Sequence, residues 1–394
     1  MCGIIGIVSE EAVTDRLVDG LRRMEYRGYD SSGVCVIRDG QLIRRRAEGK
    51  LANLVETLRA DPADGVIGIA HTRWATHGAP TASNAHPHAT DEVAIVHNGI
   101  IENFKELRRE LAQQGRVFES ETDSEVVAHL ISSRIEAGDT PEEAVRTILP
   151  RLRGAFALAI TFRSDPDMLI GARLGSPLVV GHGDGEMFLG SDALALAPMT
   201  DALSYLEEGD MAVLSRAGAM FYDAQGVPVE RPRRKIELNL AAADKGSYKH
   251  FMMKEIAEQP RVLGDAVAHY TTPGGDAVLL PETVDFADVD RVVMVACGTA
   301  FYACLVAKYW FEQIAQVPVE VDVASEYRYR TPPVPDRTMA RFVSQSGETA
   351  DPLAALRYTA GRAASVVAVV NQAQSSIARE SDVALPILAG PEIA

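Results

Sequence analysis

The sequence is poor in cysteine. Its 394 residues include only Cys2, Cys35, Cys297 and Cys304. None forms a C-x-x-C pair, so neither a disulfide framework nor a cysteine-based zinc site is indicated. Such a chain suits a reducing cytoplasm, which is the expected location. Long apolar runs are missing as well. None approaches the roughly 20 residues that cross a bilayer as a helix, so no membrane partner is expected. The opening MCGIIGIVSEE has a short apolar stretch, no basic flank and two acidic residues at Glu10 and Glu11. A secretory signal is therefore not expected. Positive charge is scarce: Lys and Arg total 39 against 55 Asp and Glu, a formal net charge of −16. An acidic chain has no general attraction for nucleic acid, and an anionic substrate would need a local pocket. There is no G-x-x-x-x-G-K-[ST] loop, which removes a P-loop nucleotide site. Nothing else in the chain calls for a cofactor.

What is present is a 47% apolar composition, enough for two or three packed domains, since single cores rarely grow past ~250–300 residues. Over residues 2–215, short β-like runs (4–8, 33–37, 66–70, 93–96 and 155–160) mix with helical patterns (14–24, 103–114 and 124–136). The two do not alternate strictly, which argues for an α+β domain. Thr122 and Asp123 stand where a helix N-cap would stand. Residues 216–250 are polar and lack a sustained apolar face, so 216–288 reads as a connection ending in a helix over about 252–269. From 289 the character changes. Strand-like runs at 289–295, 319–324, 341–343, 365–370 and 383–387 alternate with helical patterns at 301–314 and 349–362. This is the signature of a parallel α/β sheet over 289–394.

Cys2 follows the initiator methionine. Removal of Met1 would leave one residue carrying both a thiol, pKa about 8.5, and an α-amine of about 7.7–8.0. That pairs a nucleophile with its own general base. A terminal cysteine can also be incidental, so the neighbours matter. They read EYRGYDSSG at 25–33, HTRWATHG at 71–78, NAHPH at 84–88, VHNGIIEN at 96–103 and SETDSE at 120–125. Together with MCGIIGIV, these ordered motifs closely resemble the glutaminase domain of the class II (N-terminal nucleophile) amidotransferases, over residues 2–215.

The resemblance implies two antiparallel sheets sandwiched by helices, and a set of roles. Cys2 is implied as the nucleophile attacking the glutamine side-chain amide. Asn98 and the backbone N–H of Gly99 are implied as the oxyanion hole. Arg73 is implied as the clamp on the glutamine α-carboxylate, which a guanidinium fork suits. Asp123 is implied as the partner of the α-ammonium, with Thr76 and His77 in the loop that covers glutamine and Trp74 as the gate on the ammonia path. Structural alternatives stay open. Asn98-Gly99 is a strong type I′ turn signal, Asp123 could be a helix cap, and Trp74 could be a packed aromatic. Five of the nine histidines fall between His71 and His97, and His86-x-His88 raises a metal site. No H-E-x-x-H signature accompanies it, so no metal is expected.

Two later motifs choose among such amidotransferases. DKGSYKHFMMKEIAEQP at 244–260, and ACGTAFYA at 296–303 with SQSGETAD at 344–351, resemble the glutamine–fructose-6-phosphate aminotransferase (glucosamine-6-phosphate synthase) family. Its substrates are glutamine and fructose 6-phosphate. Thr299, Ser344, Gln345, Ser346 and Thr349 are then implied as phosphate-binding residues on loops that leave strands and open helices, a natural anion pocket. Ordinary helix capping would use the same residue types. Where this family has Ser, the chain has Ala300, and weaker phosphate binding is expected. Family members continue past the equivalent of Ala394 into a second isomerase half. The chain is therefore expected to be a fragment, a truncated product or part of a split enzyme, able to hydrolyse glutamine but not to make the amino sugar alone. A homodimer is implied for a complete family member. Other readings are a phosphoribosyl-linked purine amidotransferase, for which no phosphoribosyl-pyrophosphate motif is found, and a sugar-phosphate-binding protein with a vestigial glutaminase.

Overall fold

The computed structural model describes residues 2–25, 28–75, 77–235, 246–281, 283, 284, 286, 287, 289–390 and 392. Thr76 lies outside the described residues. The chain divides into two compact units, 1–240 and 241–394.

The first unit is a sandwich of two antiparallel sheets with helices on both outer faces. In edge-to-edge order the eight-stranded sheet runs Arg234–Lys235, Ala202–Tyr205, Val179–His182, Met187–Gly190, Gly3–Val8, Ile67–Arg73, Ser31–Arg38, Gln41–Glu48. The seven-stranded sheet runs Pro228–Val229, Gly218–Tyr222, Met211–Ser215, Asp165–Leu174, Gly154–Phe162, Val93–Ile101, His88–Ala89. The period-2 geometry of a strand explains why GIIGIV is apolar throughout. Ile4 and Val8 face the other sheet, among Ala94, Val96, Ala157 and Leu169. Ile5 and Ile7 face outward, under the helices Thr14–Arg22 and Leu51–Ala60. Val93–Ile101 divides likewise: Ala94 and Val96 point inward, while Val93 and Ile95 pack with Val126, Val127 and Leu130 of the helix Glu125–Glu136. Full burial of each large aliphatic side chain contributes about 1.5–3 kcal/mol. Both faces of the strands nearest the N-terminus are thus fixed by packing.

Residues 216–235, read from sequence as the start of a connection, instead belong to these sheets. Gly218–Tyr222 pairs with Met211–Ser215, Pro228–Val229 with Gly218–Tyr222, and Arg234–Lys235 with Ala202–Tyr205. The pieces are two to five residues long and lie at or next to sheet edges. They carry too little apolar pattern to read as strands. Residues 236–245 lie outside the described residues.

The second unit holds the helix Phe251–Tyr270 and a five-stranded parallel sheet. Its order is Val319–Val323, Arg291–Ala296, Thr338–Ser344, Ser365–Val370, Val383–Pro386. The helix Gly298–Trp310 packs on one face through Cys304 and Ala307. The helices Ala324–Arg330, Ala350–Thr359 and Ser376–Glu380 pack on the other through Tyr327, Leu353, Leu356 and Ile377. The chain starts in Arg291–Ala296, crosses to one neighbour and then to the other. The strand order therefore reverses between Arg291–Ala296 and Thr338–Ser344, and ligands of such sheets bind outside the carboxyl ends at that point.

Candidate active site

Two strands of the first unit, Ile67–Arg73 and Val93–Ile101, bring residues to Cys2. Asn98 sits near the end of Val93–Ile101 and donates from Nδ2 to the Cys2 carbonyl oxygen at 2.9 Å. Trp74 follows Ile67–Arg73, and its backbone N–H donates to the Cys2 sulfur at 3.1 Å. Burial pushes the Cys2 thiol up, and the Trp74 N–H at its sulfur offsets only part of that rise. Activating this sulfur therefore needs a base close by.

Asn98-Gly99 is not a hairpin turn. Both residues lie within Val93–Ile101 and pair with Ala157 and Phe156. Sheet pairing overrides the local turn preference. Gly99 has φ +124, and a Cβ there would stand 2.0 Å from the Ala155 carbonyl oxygen, so only glycine fits. Asp123 is not a helix cap either. The helix Glu125–Glu136 has Ser124 at its N-cap position, whereas Asp123 Oδ2 accepts from the Ile101 backbone N–H at 2.7 Å. Its carboxylate thus anchors the end of the strand that carries Asn98 and Gly99. Thr122 turns to the His88 ring, 3.0 Å from Nε2.

Arg73 is 3% exposed. Its guanidinium donates to the carbonyl oxygens of His77, of Gly78 at 3.2 Å and of Ala79 at 3.2 Å. Among the described residues no carboxylate lies within ion-pair distance of it. A buried cation held only by neutral carbonyls retains most of its attraction for an anion. His77 packs edge-on against Phe104 at 5.4 Å. Trp74 is 46% exposed, with its ring edge-on to Tyr29 at 5.6 Å.

The histidines form a stack rather than a metal cage. His71 lies over His86 at 4.3 Å, and His86 meets His88 at 4.5 Å. Burial lowers His71 to about 3 and pushes His86, His88 and His97 down as well. Burial thus favours their neutral forms. Some of their nitrogens serve internal bonds: His86 Nδ1 accepts from the His97 backbone N–H, and His97 Nδ1 lies 2.8 Å from Ser124 Oγ. Among the described residues no three His, Cys, Asp or Glu side chains are grouped as a metal would require.

In the second unit, the Cys297 helix start and the loop 345–349 follow adjacent parallel strands. Cys297 and Thr349 occupy helix N-cap positions, yet neither side chain makes a capping bond. The exposed Thr299 lies in the first turn of Gly298–Trp310. Ser344 Oγ accepts from the Gly347 N–H at 3.1 Å and lies 3.4 Å from Thr349 Oγ1. Ser346 Oγ accepts from the Glu348 N–H at 3.2 Å, and the Gln345 carbonyl accepts from the Asn371 N–H at 3.0 Å. Helix capping thus accounts for neither threonine. Gly347 has φ +63, and a Cβ there would strike Ser375 Oγ at 1.9 Å.

Residues 71–198 match the glutamine amidotransferase domain family, and residues 285–394 match the SIS domain family. The chain is 57% identical over 396 residues to a glutamine–fructose-6-phosphate aminotransferase (isomerizing) of Brucella abortus, covering 100% of this chain and 65% of the relative. It is 58% identical over 394 residues to that of Zymomonas mobilis, with the same shares. Over its whole length this chain is similar to these glutamine–fructose-6-phosphate aminotransferases. It spans about 65% of the length of the curated relatives it matches. The solved structure of an allosteric regulatory enzyme of purine biosynthesis aligns over 94% of this chain and 80% of its own, with TM-score 0.50 and 19% identity. At that identity the likeness concerns the fold alone.

The structure brings Cys2, Arg73, Trp74, His77, Asn98, Gly99 and Asp123 into one bonded neighbourhood of the first unit. Thr299, Ser344, Gln345, Ser346 and Thr349 gather at the switch point of the second. Two residues escaped the sequence reading. Asp30 accepts from the Ala75 N–H at 2.8 Å and donates its own N–H to the Arg73 carbonyl at 3.0 Å, fixing the loop after Arg73. His71 bonds to Asn98. The only signal for either was its place inside the motifs EYRGYDSSG and HTRWATHG.

Proposed function

We propose that this chain is a glutamine amidotransferase that hydrolyses glutamine at Cys2 and supplies the ammonia for converting fructose 6-phosphate to glucosamine 6-phosphate. The observation that carries the reading is the bond between Asn98 and Cys2. It sets a side-chain N–H donor beside the nucleophile, where a tetrahedral intermediate would develop its oxyanion. In a chain processed to begin at Cys2, the α-amine takes the thiol proton as the sulfur attacks the glutamine side-chain carbonyl. The C–N bond breaks as the amine returns that proton to the departing ammonia, leaving a glutamyl thioester. Water then attacks the thioester, glutamate leaves and the thiol is restored. Gly99 N–H is the second oxyanion donor. Arg73, buried and without a carboxylate partner among the described residues, receives the α-carboxylate. Asp123 receives the α-ammonium, and Thr76, His77 and the half-exposed Trp74 cover the site and guide ammonia.

Fructose 6-phosphate binds the second unit through the Thr299, Ser344, Gln345, Ser346 and Thr349 loops. Their position at the sheet's switch point and the uncapped hydroxyls support this. We assign 2–215 to the glutaminase function and 289–394 to sugar-phosphate binding, acting as a homodimer in the cytoplasm. The free thiols of Cys2, Cys35, Cys297 and Cys304 favour a reducing compartment. No helix among the described residues is long and apolar enough to cross a membrane. The test is glutamate release from glutamine, with and without fructose 6-phosphate, together with detection of glucosamine 6-phosphate. A second reading, glutaminase activity alone, is supported if glutamate accumulates and no amino sugar forms.

A further inference from the structure

We infer that His71 is a positioning residue that locks the Asn98 side-chain amide with its N–H face toward Cys2. This rests on the reading of Asn98 as an oxyanion donor. His71 Nε2 lies 3.1 Å from the His97 carbonyl oxygen and 3.0 Å from Asn98 Oδ1. A carbonyl oxygen only accepts, so Nε2 must carry the proton. Facing an N–H, Asn98 must present Oδ1, and Nδ2 is thereby turned to the Cys2 carbonyl. One Nδ2 hydrogen serves that carbonyl, and the other remains for the reacting oxygen.

The arrangement is built in from two sides. His71 is 1% exposed and its ring plane is held by the stack on His86 at 4.3 Å. His86 Nδ1 accepts from the His97 N–H at 3.2 Å while His71 bonds the His97 carbonyl. The two rings thus grip both polar groups of the residue before Asn98. His71 Nδ1 has no hydrogen-bond partner among the described residues, so His71 does not serve as a proton relay. Its Nε2 bonds are the ones that matter.

The test compares His71→Leu with His71→Gln, whose amide keeps an N–H donor at comparable reach. His71→Leu is expected to lower glutaminase kcat about 10²-fold with little change in KM, and His71→Gln to recover most of that loss. In an Asn98→Ala background, His71→Leu is expected to change kcat less than about threefold, because the group it positions is gone. Equal losses in both backgrounds overturn the proposal, as does an unaffected His71→Leu. A measurement independent of catalysis is exchange of the Asn98 side-chain amide protons by NMR. They should be slow in wild type and His71→Gln and fast in His71→Leu, and the same rate in all three overturns the proposal. Retained activity in Cys2→Ala would instead defeat the nucleophile assignment, while leaving the amide-exchange result to stand for His71.

Discussion

Asn98 and Cys2 are 96 residues apart in sequence, and the Asn98 amide donates to the Cys2 carbonyl at 2.9 Å. This bond joins the residue just before Gly3–Val8 in one sheet to the strand Val93–Ile101 in the other, so the proposed nucleophile and its proposed donor are tied together across the two sheets. Losing the donor should cost transition-state stabilisation more than substrate binding. Asn98→Ala is expected to lower kcat about 10²–10³-fold with KM little changed. Alkylation of Cys2 by iodoacetamide, which needs no oxyanion donor, should continue. A raised KM at constant kcat would contradict this role.

Arg73 makes a different prediction. Its buried guanidinium meets three carbonyl oxygens and, among the described residues, no carboxylate. Arg73→Met is expected to raise KM for glutamine about 10²-fold, the scale for losing one side of a desolvated charge pair. The check uses glutamine and its α-carboxamide analogue. Wild type should prefer glutamine strongly, and Arg73→Met should treat the two nearly alike. A preserved preference would assign the carboxylate to another residue.

Stability should fall on mild acidification. An ordinary histidine titrates near 6.5, whereas burial lowers His71 to about 3 and holds His86, His88 and His97 below their ordinary value. Below pH 6.5 the unfolded chain therefore binds protons that the folded chain refuses. Unfolding free energy then rises with pH in that window, by up to about 1.4 kcal/mol per pH unit for each such histidine. The urea midpoint of the first unit is expected to drop between pH 7 and pH 5, where most carboxylates remain ionised. A flat midpoint over that range would mean these histidines charge freely in the folded state.

The second unit offers a gain rather than a loss. Ala300 lies in the first turn of Gly298–Trp310, half-buried against the cluster around Met294 and Cys304. Ala300→Ser adds one hydroxyl beside Thr299. One extra neutral hydrogen bond is worth about 0.5–1.5 kcal/mol, so fructose 6-phosphate should bind roughly three- to tenfold tighter by calorimetry. Unchanged affinity would remove Ala300 from the phosphate loop.

These residues also mark the limit of what sequence reveals. The apolar run at Ile4–Val8 and the alternation of strands and helices after residue 289 could be read directly, because burial on both faces leaves a continuous apolar pattern. The motifs around Cys2, Arg73 and Asn98 pointed to one site. The state of Asn98-Gly99 was ambiguous: a local turn preference competes with pairing to Ala157 and Phe156, which lie more than fifty residues away. Asp123 was ambiguous for the same reason, since its partner is the Ile101 N–H and not its own helix. Residues 216–235 read as a connection because edge strands of two to five residues carry little pattern. The Thr140-Pro-Glu-Glu143 segment, by contrast, holds a complete capping box for the helix Pro141–Ile148 that local chemistry alone specifies. His71 was silent because its role depends on a tautomer fixed by His97 and an amide fixed by Cys2.

The central claim is that Cys2 cleaves glutamine. It is tested most directly by measuring glutamate release from glutamine by the wild-type chain and by Cys2→Ala, with folding of both verified by circular dichroism. The wild type is predicted to turn over glutamine and Cys2→Ala to show no release above the uncatalysed rate. Equal release by the two would contradict the account.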